Sequence, residues 1–86
     1  MENIVHNPSE KRFTLMVENA QAVLQYRLFK NENNNNTIID FTSTFVPPEF
    51  RGKGLAEKLV RAGITWAKEQ GYELQASCWY VAKFIR

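Results

Sequence analysis

Between Thr44 and Gly71 the chain reads TFVPPEFRGKGLAEKLVRAGITWAKEQG, and this stretch constrains the fold more than any other. A β-branched, apolar run ends at Val46, where Pro47 and Pro48 stop it because neither can donate a ladder hydrogen bond. A short basic loop, Arg51-Gly52-Lys53-Gly54, leads into the best helical pattern in the protein. Strand, glycine-bearing basic loop and helix start together make a place for an anion. The first helical turn carries unpaired N–H groups and partial positive charge, and glycine lets a ligand approach the backbone. A plain surface turn is the competing reading of the loop; the flanking strand and helix favour phosphate.

The common phosphate motifs do not fit. A Walker loop needs a second glycine upstream, which is missing, and the dinucleotide fingerprint needs a third glycine where Glu57 stands. With 86 residues, the expectation is a single domain over 1–86 with a thin core. A net charge of +2 gives little reason to expect nucleic acid as partner. One cysteine excludes an internal disulfide or a multi-cysteine zinc site, and no metal is expected. MENIVHNPSEK has no apolar core of a secretion signal, and no apolar run is long enough to span a membrane, so the expected location is the cytoplasm.

In chain order, Asn3–Asn7 is a short candidate strand and Pro8–Lys11 a turn. Arg12–Glu18 alternates as a strand with Phe13, Leu15 and Val17 on one face, and Asn19-Ala20-Gln21 turns the chain into a strand over Ala22–Lys30. KNENNNN (30–36) reads as a hairpin loop, since asparagine tolerates left-handed backbone angles. Thr37–Val46 is a long strand: strict alternation places Ile39, Phe41, Ser43 and Phe45 on one face, and Ile38, Asp40, Thr42, Thr44 and Val46 on the other. The helix from Gly54 to Gln70 has an apolar stripe of Leu55, Leu59, Ala62, Gly63, Trp66 and Ala67, and Gly71 stops it. Tyr72–Cys78 is a last strand and Trp79–Arg86 a short helix. The fold class is therefore mixed α+β: a mostly antiparallel sheet with one strand–helix–strand crossover and a short C-terminal helix.

V-P-P-E-F-R-G-K-G-L-A-E-K-L-V resembles the acyl-CoA signature of the GNAT superfamily of N-acetyltransferases, [QR]-x-x-G-x-[GA], with Arg51, Gly54 and Ala56 at its three defined positions. Paired with S-C-W-Y-V-A-K-F-I near the C-terminus, the chain is similar to small single-domain members of that superfamily, those related to N-acetyltransferase domain-containing protein 1. The similarity spans roughly Phe13 to Arg86. It implies acetyl-CoA as the ligand, its pyrophosphate on the N–H groups of Arg51, Gly52, Lys53, Gly54, Leu55 and Ala56. The pantetheine arm would lie along Thr44, Phe45 and Val46, and the thioester where this strand and the Cys78 strand splay apart.

Acetyl transfer needs a neutral amine to attack the carbonyl and a proton for the departing thiolate. Cys78, just before a helix, is placed to have a lowered pKa, and the resemblance implies that it accepts the acetyl group or protonates the leaving sulfur. A buried structural cysteine is the competing reading. Tyr80 is the second candidate acid, with a core aromatic as its alternative. Relatives carry a His-Thr pair where this chain has Ser43-Thr44, which weakens the case for direct catalysis. His6, the single histidine, reads as a surface residue on an edge strand. The leading expectation is an acetyl-CoA-dependent N-acetyltransferase acting on an unidentified amine, as a monomer or weak dimer. A non-catalytic acyl-CoA-binding module is the alternative, and a small domain that binds nucleic-acid phosphates is a weaker third.

Overall fold

A computed structural model describes residues 3–85. Five strands form one sheet in sequence order: β1 (Ile4–Asn7), β2 (Arg12–Val17), β3 (Ala20–Lys30), β4 (Thr37–Phe45) and β5 (Glu73–Ala76). The first four are antiparallel, whereas β5 returns parallel to β4 after the helix α1 (Leu55–Glu69). A second helix, α2 (Trp79–Ile85), follows β5 directly. This is the mixed α+β arrangement expected from the order of apolar runs. Arg86, the last residue of the expected C-terminal helix, lies outside the described residues.

The core is the layer between one sheet face and α1. Leu15, Leu24, Ile39 and Phe41 from the strands meet Leu59, Val60 and Ala67 from the helix, all buried. Burying each large side chain contributes about 1.5–3 kcal/mol, so this one layer carries most of the stability of so small a sheet. Helix and sheet approach closely at Gly63. A Cβ there would lie 2.8 Å from Leu24 Cδ2 and 3.0 Å from Phe41 Cε1, so a larger residue would force these core side chains or the helix to shift. The apolar stripe of α1 is rotated slightly from the expected one: Val60 is fully buried, while Ala62 is only half-buried.

Two local expectations are corrected, and a third gains a detail. Strand β3 begins at Ala20, paired with Val17, so the turn is the two-residue Glu18-Asn19, with Glu18 in the left-handed region at φ 56°. His6 is not a free surface residue. Its ring stacks on Phe13 at 4.1 Å, meets Trp66 edge-on at 4.4 Å, and its Nε2 lies 2.6 Å from the Tyr26 hydroxyl. Partial burial among these rings lowers its pKa. The asparagine loop is a hairpin as expected, with Asn35 at φ 62°, but its amides also reach across the sheet. Asn31, Asn34 and Asn36 each donate to the Glu73 carboxylate, which ties the loop to the start of β5.

A further correction shapes the site. The pairing of β3 with β4 slips between Gln25 and Tyr26, because Tyr26 faces Phe41 while Gln25 faces Ser43. Thr42 is therefore an extra residue, a β-bulge. Thr42 Oγ1 donates to the Gln25 carbonyl (3.3 Å) and Ser43 Oγ to Gln25 Oε1 (2.9 Å). Beyond the bulge the alternation is inverted. Thr44 pairs with buried Leu24 and shares the core side with Ile39 and Phe41, and Val46 is buried as well. Ser43 and Phe45, expected on that side, point the other way and are exposed. Strict alternation fails here because it assumes that no residue is inserted.

Candidate functional site

The ladder between β4 and β5 is short, running from Ile38–Glu73 to Phe41–Ala76. Past that point the strands part. A strand to Cys78 was expected; instead β5 stops at Ala76, because Ser77 turns its backbone N–H and its hydroxyl toward Asp40, both at 2.8 Å. The Cys78 N–H still reaches the Phe41 carbonyl at 3.1 Å, and its own carbonyl accepts the Ala82 N–H as α2 begins.

A cavity of about 440 Å³ opens in the cleft. One wall is the end of β4 (Thr44, Phe45, Val46), the floor is the loop and first turn of α1 (Arg51, Gly52, Gly54, Leu55, Ala56), and the far wall is Cys78 and Tyr80. Of the residues singled out in the sequence, these are brought together; Lys53 is exposed in the same loop and does not line the cavity. Phe50 and Trp79 do line it and were not among the candidates. Trp79 is 74% exposed, an apolar lip beside the cysteine whose place in the S-C-W-Y block was its only signal.

The loop end is built from backbone. Pro48–Phe50 form a single 3₁₀ turn, and Arg51 Nε donates to the Val46 carbonyl at 2.9 Å, folding the loop back on the strand. Gly52 and Gly54 have φ of +83° and +79°, a region that costs other residues about 1–2 kcal/mol. Gly54 is the N-cap of α1, and no side chain caps the helix. Gly54, Leu55 and Ala56 at the start of the helix line the cavity, where first-turn N–H groups lack helical partners, and the bare glycine backbone leaves the approach open. These residues fit a phosphate group.

The cysteine end is built from side chains. Cys78 Sγ is 3.6 Å from Thr44 Oγ1, across the gap between the strands. Burial alone would push the thiol up. Hydrogen bonds from the Val81 backbone, the Thr44 hydroxyl and the Tyr80 and Thr44 backbones outweigh it, and the pKa is lower than that of an ordinary cysteine. Tyr80 moves the opposite way: burial first and the Glu57 charge second raise it, so it keeps its proton. Lys83 lies over the rings of Trp79 (5.1 Å) and Tyr80 (4.8 Å). Ser43, the departure from the family pattern, is on the far side of the bulge and is absent from the cavity lining. A thiol with a lowered pKa and a phenol with a raised one thus share one cavity with a glycine-lined helix start.

Comparisons with known proteins bear on the family and the fold. A family model described as GCN5-related N-acetyl-transferase matches residues 12–86. The protein NATD1 of Bos taurus is 29% identical over 85 residues, covering 96% of this chain and 71% of the relative. Among solved structures, a ribosomal-protein-alanine N-acetyltransferase from Brucella melitensis biovar Abortus superposes with a TM-score of 0.69 at 16% identity, over 78% of this chain. An aminoglycoside acetyltransferase from an uncultured soil metagenomic sample gives 0.71 at 18% identity, over 87% of this chain. The present chain spans about half the length of these two structures, 52% and 53%.

Proposed function

The chain belongs to the GCN5-related N-acetyltransferase family, and from that premise we propose that it binds acetyl-CoA in the β4–β5 cleft and transfers the acetyl group to an amine by way of Cys78. One observation carries the reading. The cavity that starts at the uncapped, glycine-lined turn of α1 ends at a cysteine whose Sγ is held 3.6 Å from Thr44 Oγ1. An acyl-CoA has its phosphates at one end and its thioester at the other, and the cavity offers a matching partner at each.

Acetyl-CoA supplies an activated acetyl carbon. Gly52, Gly54 and the first-turn N–H groups of α1 bind the pyrophosphate, with Arg51 nearby. The Thr44–Val46 segment, past the end of the β4–β5 ladder and lining the cavity, orients the arm along the strand. Cys78, as thiolate, bonds to the acetyl carbon while the bond from that carbon to the CoA sulfur breaks. Tyr80 gives its proton to the departing sulfur. The amine then displaces Cys78, whose thiolate is restored, and the Tyr80 phenolate takes the surplus amine proton. The apolar lining from Val46, Phe50, Leu55 and Trp79 keeps water from the acyl-cysteine.

Mixing the protein with acetyl-CoA and recording native and then denaturing mass spectra tests the proposal. A one-to-one complex and an acetyl group persisting on the Cys78 peptide are expected. A complex with no acetyl on Cys78 would exclude the covalent step, and folded protein with no complex would exclude the cleft as an acetyl-CoA site. A complex with no transfer to any offered amine would favour a non-catalytic acyl-CoA-binding module.

A further inference from the structure

We infer that Asp40 is a positioning residue for Cys78: acting through Ser77, it fixes the point at which β5 leaves β4 and so holds the thiol against Thr44. This rests on the reading of the cleft given above.

Among the described residues Asp40 is the one buried charged side chain, with no exposed surface. Its carboxylate accepts three hydrogen bonds: the Ser77 N–H to Oδ1 (2.8 Å), the Ser77 hydroxyl to Oδ2 (2.8 Å), and Arg27 Nε to Oδ2 (2.9 Å). Burial pushes its pKa up, but these bonds and the Arg27 charge outweigh that and hold it below the usual carboxylate range. A buried ion pair contributes little net stability against an apolar replacement, so the sheet alone gives small reason for a carboxylate here.

The register shows what the carboxylate does instead. Continued pairing would set Ser77 opposite Thr42, since Asp40 faces Gln75 and Phe41 faces Ala76. Thr42 is the bulge residue, committed to Gln25. Ser77 therefore has no regular ladder partner, and Asp40 takes both of its donors. Two contacts then span the opening cleft, Cys78 N–H to the Phe41 carbonyl and Thr44 Oγ1 to Cys78 Sγ, and both follow directly from where Ser77 is pinned. Arg27, largely exposed, steadies the carboxylate from the outer face and touches neither Ser77 nor the cavity.

The test is the pH dependence of Cys78 alkylation by iodoacetamide, read beside thermal stability and, with acetyl-CoA, kcat and KM. The charged and titratable groups around the thiol are Arg51 from the loop after β4 and Tyr80 from α2, with Asp40 one residue away behind Ser77. An amide in Asp40→Asn cannot accept from all three donors. Its alkylation profile is expected to move toward that of a free cysteine, near 8.5, with kcat down about tenfold and KM for acetyl-CoA within about twofold. Ser77→Ala should shift the profile the same way by less, and Ser77→Thr, which keeps the hydroxyl, should restore it. Arg27→Met should alter stability and leave the profile in place. Profiles of folded Asp40→Asn and Ser77→Ala that superpose on the wild type would overturn the inference; should Asp40→Asn not fold, Ser77→Ala decides. A wild type that binds no acetyl-CoA would overturn the reading of the cleft, while the alkylation profiles would still judge Asp40.

Discussion

The two ends of the cleft are made in different ways. At the loop end everything needed is contiguous: proline stop, two left-handed glycines, an uncapped helix start, all between Pro47 and Ala56. At the cysteine end nothing is contiguous. Thr44 and Cys78 are 34 positions apart, and the contact between them depends on a bulge in β4 and on a carboxylate that reaches out of the same strand. On the proposed reading, backbone geometry serves where the ligand is a diffuse anion that any N–H can hold. Side chains fixed by tertiary contacts serve where one atom must meet one carbon.

If this contrast is right, perturbations at the two ends should separate into binding and turnover. The largest effect is expected for Cys78→Ala, which should lower turnover by about a thousandfold or more while acetyl-CoA affinity changes less than about twofold. Steady-state kinetics with isothermal titration of acetyl-CoA would check this. Equal losses in both would erase the distinction between the ends.

The converse change is Gly54→Ala. With φ at +79° and open space where the Cβ would go, the cost is conformational: about 1–2 kcal/mol in stability, and about tenfold in acetyl-CoA affinity as the loop relaxes. Alkylation of Cys78 should be unchanged. A changed thiol profile in this variant would mean that the two ends are coupled.

A pH titration of stability isolates the cysteine end. The Asp40 pKa in the fold is below its ordinary value of 3.8, so its contribution is complete above that value and is lost as pH falls through the folded one. The wild type should lose melting temperature more steeply than Asp40→Asn does as the pH falls below 3.8. Parallel curves would show that the carboxylate gains nothing from its three donors. The smallest effect is assigned to Lys53→Ala. This side chain is exposed and outside the cavity lining, so its loss should weaken acetyl-CoA binding about two- to threefold, with the difference shrinking in high salt.

The same contrast explains what could be read from the chain before folding. The strand–loop–helix segment was legible because proline, glycine and helical periodicity act on their own neighbours. The order of strands and the hairpin at the asparagine tract were legible for the same reason. The faces of β4 were not: nothing local distinguishes Thr42 as an extra residue, and only pairing with Gln25 does so. Asp40 looked like one polar position in an alternating strand, although it is buried and bonded to a residue 37 positions away. His6 was misjudged because its stacking partners, Phe13 and Trp66, come from different elements.

The bulge at Thr42 also has a meaning for comparing chains. It divides β4 into two reading phases, so that neighbouring positions answer to different demands. A change at Ser43 alters what the molecule shows to solvent, whereas a change at Thr44 or Val46 alters the wall of the cleft, and half-exposed Phe45 belongs to both. An alignment that slips by one residue here would credit the solvent-facing positions with the history of the cleft. Any grafting of this strand onto a related domain has to carry the extra residue with it, or Ser43 will stand where Thr44 meets Cys78.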